Sequence, residues 1–96
     1  MAIEVLLEDK REEILRICAK HGARNVRVFG STVRSEASHD SDLDLLVEFE
    51  PRRSLLDQAA LVLELEQLLG RKVDVVSEAG LYWLLLRRIL NEAQVL

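Results

Sequence analysis

The chain has 96 residues, 49% of them apolar, with one proline, four glycines, one cysteine and a formal charge of −4. That length predicts one small domain spanning residues 1–96, and the composition excludes disorder and low-complexity sequence. The acidic balance argues against a general nucleic-acid binder, which carries a basic stripe.

Aromatic residues are only 4% of the chain, so the core is expected to be aliphatic. Cys18 has no second cysteine to pair with and falls on the apolar side of a predicted helix. It reads as a core thiol in a reducing compartment, with a nucleophilic role as the alternative. The longest apolar run, Leu81 to Leu86, is too short to cross a bilayer, and no basic-then-apolar signal pattern opens the chain. The expectation is a cytoplasmic protein that does not engage a membrane.

The first predicted element is a helix from about Val5 to His21, with Leu7, Ile14, Ile17 and Cys18 on one stripe. Its acids come early and Lys20 late, as the helix dipole prefers, with His21 as a further cation at its C-terminal end. Gly22 is the expected left-handed cap. Asn25 to Phe29 follows as a strand, with Val26 and Val28 on one face and Arg27 and Phe29 on the other. Gly30 marks a sharp turn. Residues 31–35 suit a helical turn and residues 36–41 a polar loop.

Alternation resumes from Asp42 to Phe49. Leu43, Leu45, Val47 and Phe49 should face covering helices, while Asp42, Asp44, Leu46 and Glu48 should line an open or half-open surface. Pro51 stops the strand, and Ser54 with Asp57 resembles a capped helix start. The helix is expected to run to Leu69, with Leu56, Ala60, Leu63 and Gln67 or Leu68 inward and Gly70 closing it.

Lys72 to Val76 is the last predicted strand, with Val73 and Val75 toward the core and Asp74 on the side of Asp42 and Asp44. A strand, helix and strand of this length form a parallel crossover, so these two strands should be neighbours. A final helix from Leu81 to about Ala93 has more apolar surface than one stripe. It is either deeply packed or, with Trp83, a docking surface for a second copy or another chain.

Side chains two apart on a strand stand ~6 to 7 Å apart on one face. Asp42 and Asp44 therefore form the outline of a divalent-cation site, with solvated strand-start carboxylates as the bland alternative. Gly30-Ser31, ten intervening residues, Asp42-Leu43-Asp44 and a later strand aspartate together resemble the signature of the DNA polymerase β-like nucleotidyltransferase superfamily. In length the chain is similar to its smallest branch, the minimal nucleotidyltransferases, many of them antitoxins of HEPN-domain toxins. The resemblance spans nearly the whole chain. It departs where many members read Ala-Arg-Gly and this chain reads Val33-Arg34-Ser35.

The resemblance implies an α/β fold with a small mixed sheet and helices packed on one face. It also implies transfer of AMP from ATP to an acceptor hydroxyl, which in the antitoxin branch is a tyrosine of the HEPN toxin. Asp42, Asp44 and Asp74 would be the catalytic and metal-binding residues, holding two magnesium ions ~3.5 to 4 Å apart. Gly30 would allow close approach of the triphosphate, and Ser31 would donate hydrogen bonds to it. Arg34 could contact phosphate or pin the acidic loop, and Ser41 flanks the loop at the nucleotide. His39 could reach a phosphate or stand solvated, and Leu46 and Glu48 are positional candidates for lining the site. Arg52, Arg53, Arg87 and Arg88 could guide an acidic partner or substrate, with solvated charge as the default. Rival readings are an antitoxin that neutralises its partner by binding alone, and a subunit of a small-molecule nucleotidyltransferase.

Overall fold

The computed structural model describes residues 3–30, 42–80 and 83–96. Ser31, Arg34, His39 and Ser41 lie outside the described residues. The elements run α1 (Ile3–Lys20), β1 (Ala23–Phe29), β2 (Leu43–Phe49), α2 (Leu55–Leu69), β3 (Val73–Ser77), a 3-10 turn (Glu78–Gly80), α3 (Trp83–Glu92) and β4 (Gln94–Val95). They form a four-stranded mixed sheet in the order β3-β2-β1-β4. β1 is antiparallel to β2 and β4, and β2 is parallel to β3, as the crossover rule predicts.

α1 and α2 pack on each other and on β1 and β3 respectively. Between them lies the aliphatic core of Leu7, Ile14, Cys18, Val26, Val28, Leu43, Leu45, Val47, Leu61, Leu65, Leu69, Val73 and Val75. Burial there pushes the Cys18 thiol up to about 11, which fits an inert core thiol. Gly22 takes the left-handed conformation (φ 78°) that turns the chain from α1 into β1.

The inward stripe of α2 differs from the sequence expectation. Leu61, Leu65 and Leu69 are buried, whereas Leu56 and Leu63 are 81% and 61% exposed. The segment is leucine-rich all round, so apolar periodicity alone does not choose its phase. Polar contacts accompany the observed phase. Glu64 meets Lys20 and His21, each at 2.8 Å, Glu66 accepts the Val73 N–H at 3.1 Å, and Gln58 donates to the Val75 carbonyl at 2.7 Å. The expected start and stop do hold, through a capping box of Ser54 and Asp57 and a left-handed Gly70.

Two features of the sheet were not anticipated. Leu46, expected on an open surface, is fully buried in the middle strand, with Arg27 and Val76 as its neighbours in register. Arg27 is itself buried, donating to the Asn25 carbonyl at 2.8 Å and to Glu78 Oε2 at 3.0 Å. Because β2 lies between β1 and the end of β3, this ion pair spans the middle strand. The second feature is β4, which pairs Val95 with Arg27 and Gln94 with Val28 along the outer edge of β1.

α3 buries none of its described residues. Leu86 and Ile89 are half-buried, and Trp83, Leu84, Leu85 and Leu90 are exposed. That excludes the deeply packed reading and leaves an apolar face on the surface. No helix among the described residues is long and apolar enough to cross a membrane.

Candidate active site

The site grows from strand register. Phe29 lies opposite Asp44 across the antiparallel pair, and Asp44 lies beside Asp74 across the parallel pair. Cross-strand partners share a face, so Asp44 and Asp74 stand together on the face opposite the buried valines. Asp42 is two residues before Asp44 and has the same parity. Asp42 and Asp44 are half-buried, while Asp74, on the outer strand β3, is exposed.

Gly30 closes the site on the β1 side. Its φ of 79° suits glycine, and a Cβ there would collide with Oδ2 of Asp44. The Gly30 N–H donates to Glu92 Oε1 at 3.1 Å. Phe29, Gly30 and Asp44 line one cavity of about 660 Å3 together with Arg88, Ile89 and Glu92 of α3. Sequence reasoning missed Glu92 altogether and offered Arg88 only as solvated charge or a guide for an acidic partner or substrate, without placing it at this turn. Neither carries a local signal, since their place depends on α3 returning to a turn some sixty residues earlier in the chain.

The larger cavity, of about 780 Å3, lies at the opposite end of β2 and β3. Glu48, a positional candidate for the site, lines that cavity instead, with Arg24, Arg52 and Arg53. A hydrogen bond from Asn25, with the charges of Arg24 and Arg27 nearby, holds the Glu48 carboxyl below its ordinary range. Arg53 pairs with Glu50 and Asp57, each at 3.4 Å, so it serves as a structural clasp at the start of α2. Leu46 lines neither cavity.

The donor set at the Asp44 end is hard carboxylate oxygen, which suits magnesium rather than a soft metal. Among the described residues no group of three or more His, Cys, Asp or Glu side chains is gathered closely enough to hold a metal by itself. The register nonetheless sets Asp44 beside Asp74, with Asp42 two residues away, so the oxygen donors fit divalent cations that bring further ligands from a bound phosphate.

An open mixed sheet with paired strand aspartates beside a glycine turn defines a nucleotidyltransferase domain. The chain belongs to that family, whose model matches residues 11–96. It is similar to the protein adenylyltransferase MntA of Thermococcus cleftensis, at 41% identity over 90 residues covering 94% of this chain and 88% of that protein. A solved structure assigned as a minimal nucleotidyltransferase is 56% identical, with a TM-score of 0.89 over 100% of this chain and 97% of that one. A toxin–antitoxin complex solved with AMP-PNP shares the fold at 17% identity, with a TM-score of 0.77 over 88% of this chain and 69% of that one. The chain is thus a nucleotidyltransferase of the minimal, polymerase β-like kind.

Proposed function

We propose that the protein transfers AMP from ATP to a hydroxyl on a partner protein, in the manner of an antitoxin that silences a HEPN toxin by modifying one of its tyrosines. The observation that carries this reading is the register of Asp44 beside Asp74 at the Gly30 turn. The adenylyltransferase name of a relative 41% identical supports the nucleotide and the reaction. The toxin–antitoxin complex with AMP-PNP supports the kind of partner through shared fold.

In this reading the acceptor oxygen attacks the α-phosphorus, the bond to the pyrophosphate oxygen breaks, and the hydroxyl proton leaves to Asp74. Asp42, Asp44 and Asp74 would hold two magnesium ions, which when bound supply charge neutralisation for the attacking and leaving oxygens. Gly30 lets backbone come close to phosphate, with Ser31, Arg34 and Ser41 assigned to the same nucleotide. Asp74 is on the outer strand and exposed, so the acceptor approaches from the β3 side. The exposed Trp83, Leu84 and Leu85 of α3 offer a surface for the partner chain or for a second copy. That same surface favours a second reading, neutralisation of the partner by binding alone.

The test is incubation with α-labelled ATP and magnesium, with and without whatever protein is encoded next to it, following label into protein. Label on the neighbour that is lost in Asp42→Ala and Asp44→Ala, with both variants folded, is the expected result. Transfer retained in those variants refutes the site assignment. A tight complex without label selects the binding-only reading.

A further inference from the structure

The nucleotide reading brings phosphate up to the backbone at Gly30, and the amide there already has an acceptor. Glu92 Oε1 takes its hydrogen bond at 3.1 Å, and Glu92, Gly30 and Asp44 line the same cavity. Glu92 ends α3, where a carboxylate opposes the helix dipole, and the last turn of α3 has no basic residue to offset it. The residue is thus poorly placed for its own helix, and one of its contacts is with the turn. To a backbone N–H, a carboxylate oxygen and a phosphate oxygen are equivalent anionic acceptors. Arg88, four residues earlier and on the same cavity wall, is a cation available to whichever anion is present.

We propose that Glu92 is a stand-in for a nucleotide phosphate: its carboxylate holds the Gly30 amide until a phosphate oxygen of ATP displaces it, and this competition sets the enzyme's nucleotide affinity. The inference rests on the nucleotide reading above. It differs from a simple brace, in which Glu92 would hold the turn ready for phosphate and its loss would weaken binding. Displacement gives the opposite sign, because removing the carboxylate frees a donor and takes a negative charge away from the triphosphate.

The experiment is calorimetric titration of the full chain with ATP and magnesium, for wild type, Glu92→Gln, Glu92→Ala and the distant control Glu12→Gln. Glu92→Ala should bind about three- to tenfold more tightly, the span of one ordinary hydrogen bond in net terms. Glu92→Gln, which keeps an acceptor oxygen but no charge, should fall between it and wild type, and Glu12→Gln should match wild type. Binding in Glu92→Ala that is equal to or weaker than wild type overturns the proposal and leaves the nucleotide reading standing. Equal tightening by Glu12→Gln overturns it too, since general charge would then be the cause. If none of the four binds ATP, the nucleotide reading itself fails and the proposal falls with it.

Discussion

Arg27 and Glu78 meet at 3.0 Å across the width of the middle strand, joining β1 to the turn that follows β3. The pair ties the strand that ends at Gly30 to the strand that carries Asp74, and Leu46 is buried between them. Arg27→Met should therefore cost about 2–3 kcal/mol, below the 3–5 of a fully buried pair because Glu78 keeps some solvent. Urea melts should show the double variant Arg27→Met/Glu78→Gln recovering part of that loss. A double variant no better than the single one would mean the pair adds nothing specific.

Asp44 and Asp74 are like charges set side by side, an arrangement that costs on the order of 0.2–1 kcal/mol in a sheet. With a chelator present, Asp74→Asn should unfold at the same or a higher urea concentration than wild type, and in a separate assay with magnesium its transfer should be abolished. A clear loss of stability would show that Asp74 serves the fold.

Substituting Gly30 by alanine combines a left-handed backbone with a collision against the Asp44 carboxylate. We expect about 1–3 kcal/mol of destabilisation, read by thermal unfolding, together with loss of activity. Alanine at Gly70, which is also left-handed but has open space around it, should cost less.

The Cys18 thiol is raised from 9.0 to about 11 by burial. The folded chain keeps its proton where the unfolded chain has lost it, so stability is flat below about pH 9 and falls between about pH 9 and 11. The loss should reach on the order of 2–3 kcal/mol and disappear in Cys18→Ala, compared by urea melts at pH 8 and pH 10.5. The native thiol should resist a disulfide reagent until the chain unfolds.

Glu64 is held below its ordinary value by hydrogen bonds from Lys20 and then His21. Its contribution is present above the usual carboxylate range and is lost as pH falls through the lowered value. Glu64→Gln should accordingly flatten the acid limb of a stability–pH curve. An unchanged acid limb would place that loss at other carboxylates.

Much of this site could be read from the sequence because strand geometry has a period of two. Once Asp42 to Phe49 and Lys72 to Val76 are strands, the face of Asp44 and of Asp74 follows from the buried residues between them. α2 gave no such certainty, since leucines on all sides offer several inward stripes and the charged contacts of Glu64 and Glu66 are long-range. β4 is two residues long and leaves no pattern to find. Arg27, Glu78 and Glu92 were illegible for a related reason: each is polar, and only the folded topology supplies its partner.

The pairing of β4 with β1 also constrains how α3 can move. The helix ends at Glu92, and within a few residues the chain is locked to the sheet by the Arg27 to Val95 pairing and by the Leu96 N–H on the Val26 carbonyl. α3 is therefore a strut fastened to the sheet at its active-site end. Ten residues of helix make a span of about 15 Å. Trp83, at the other end of that span, stands three residues after Gly80 of the turn that the Arg27–Glu78 pair ties to β1, so the chain leads back to the sheet from both ends of the helix.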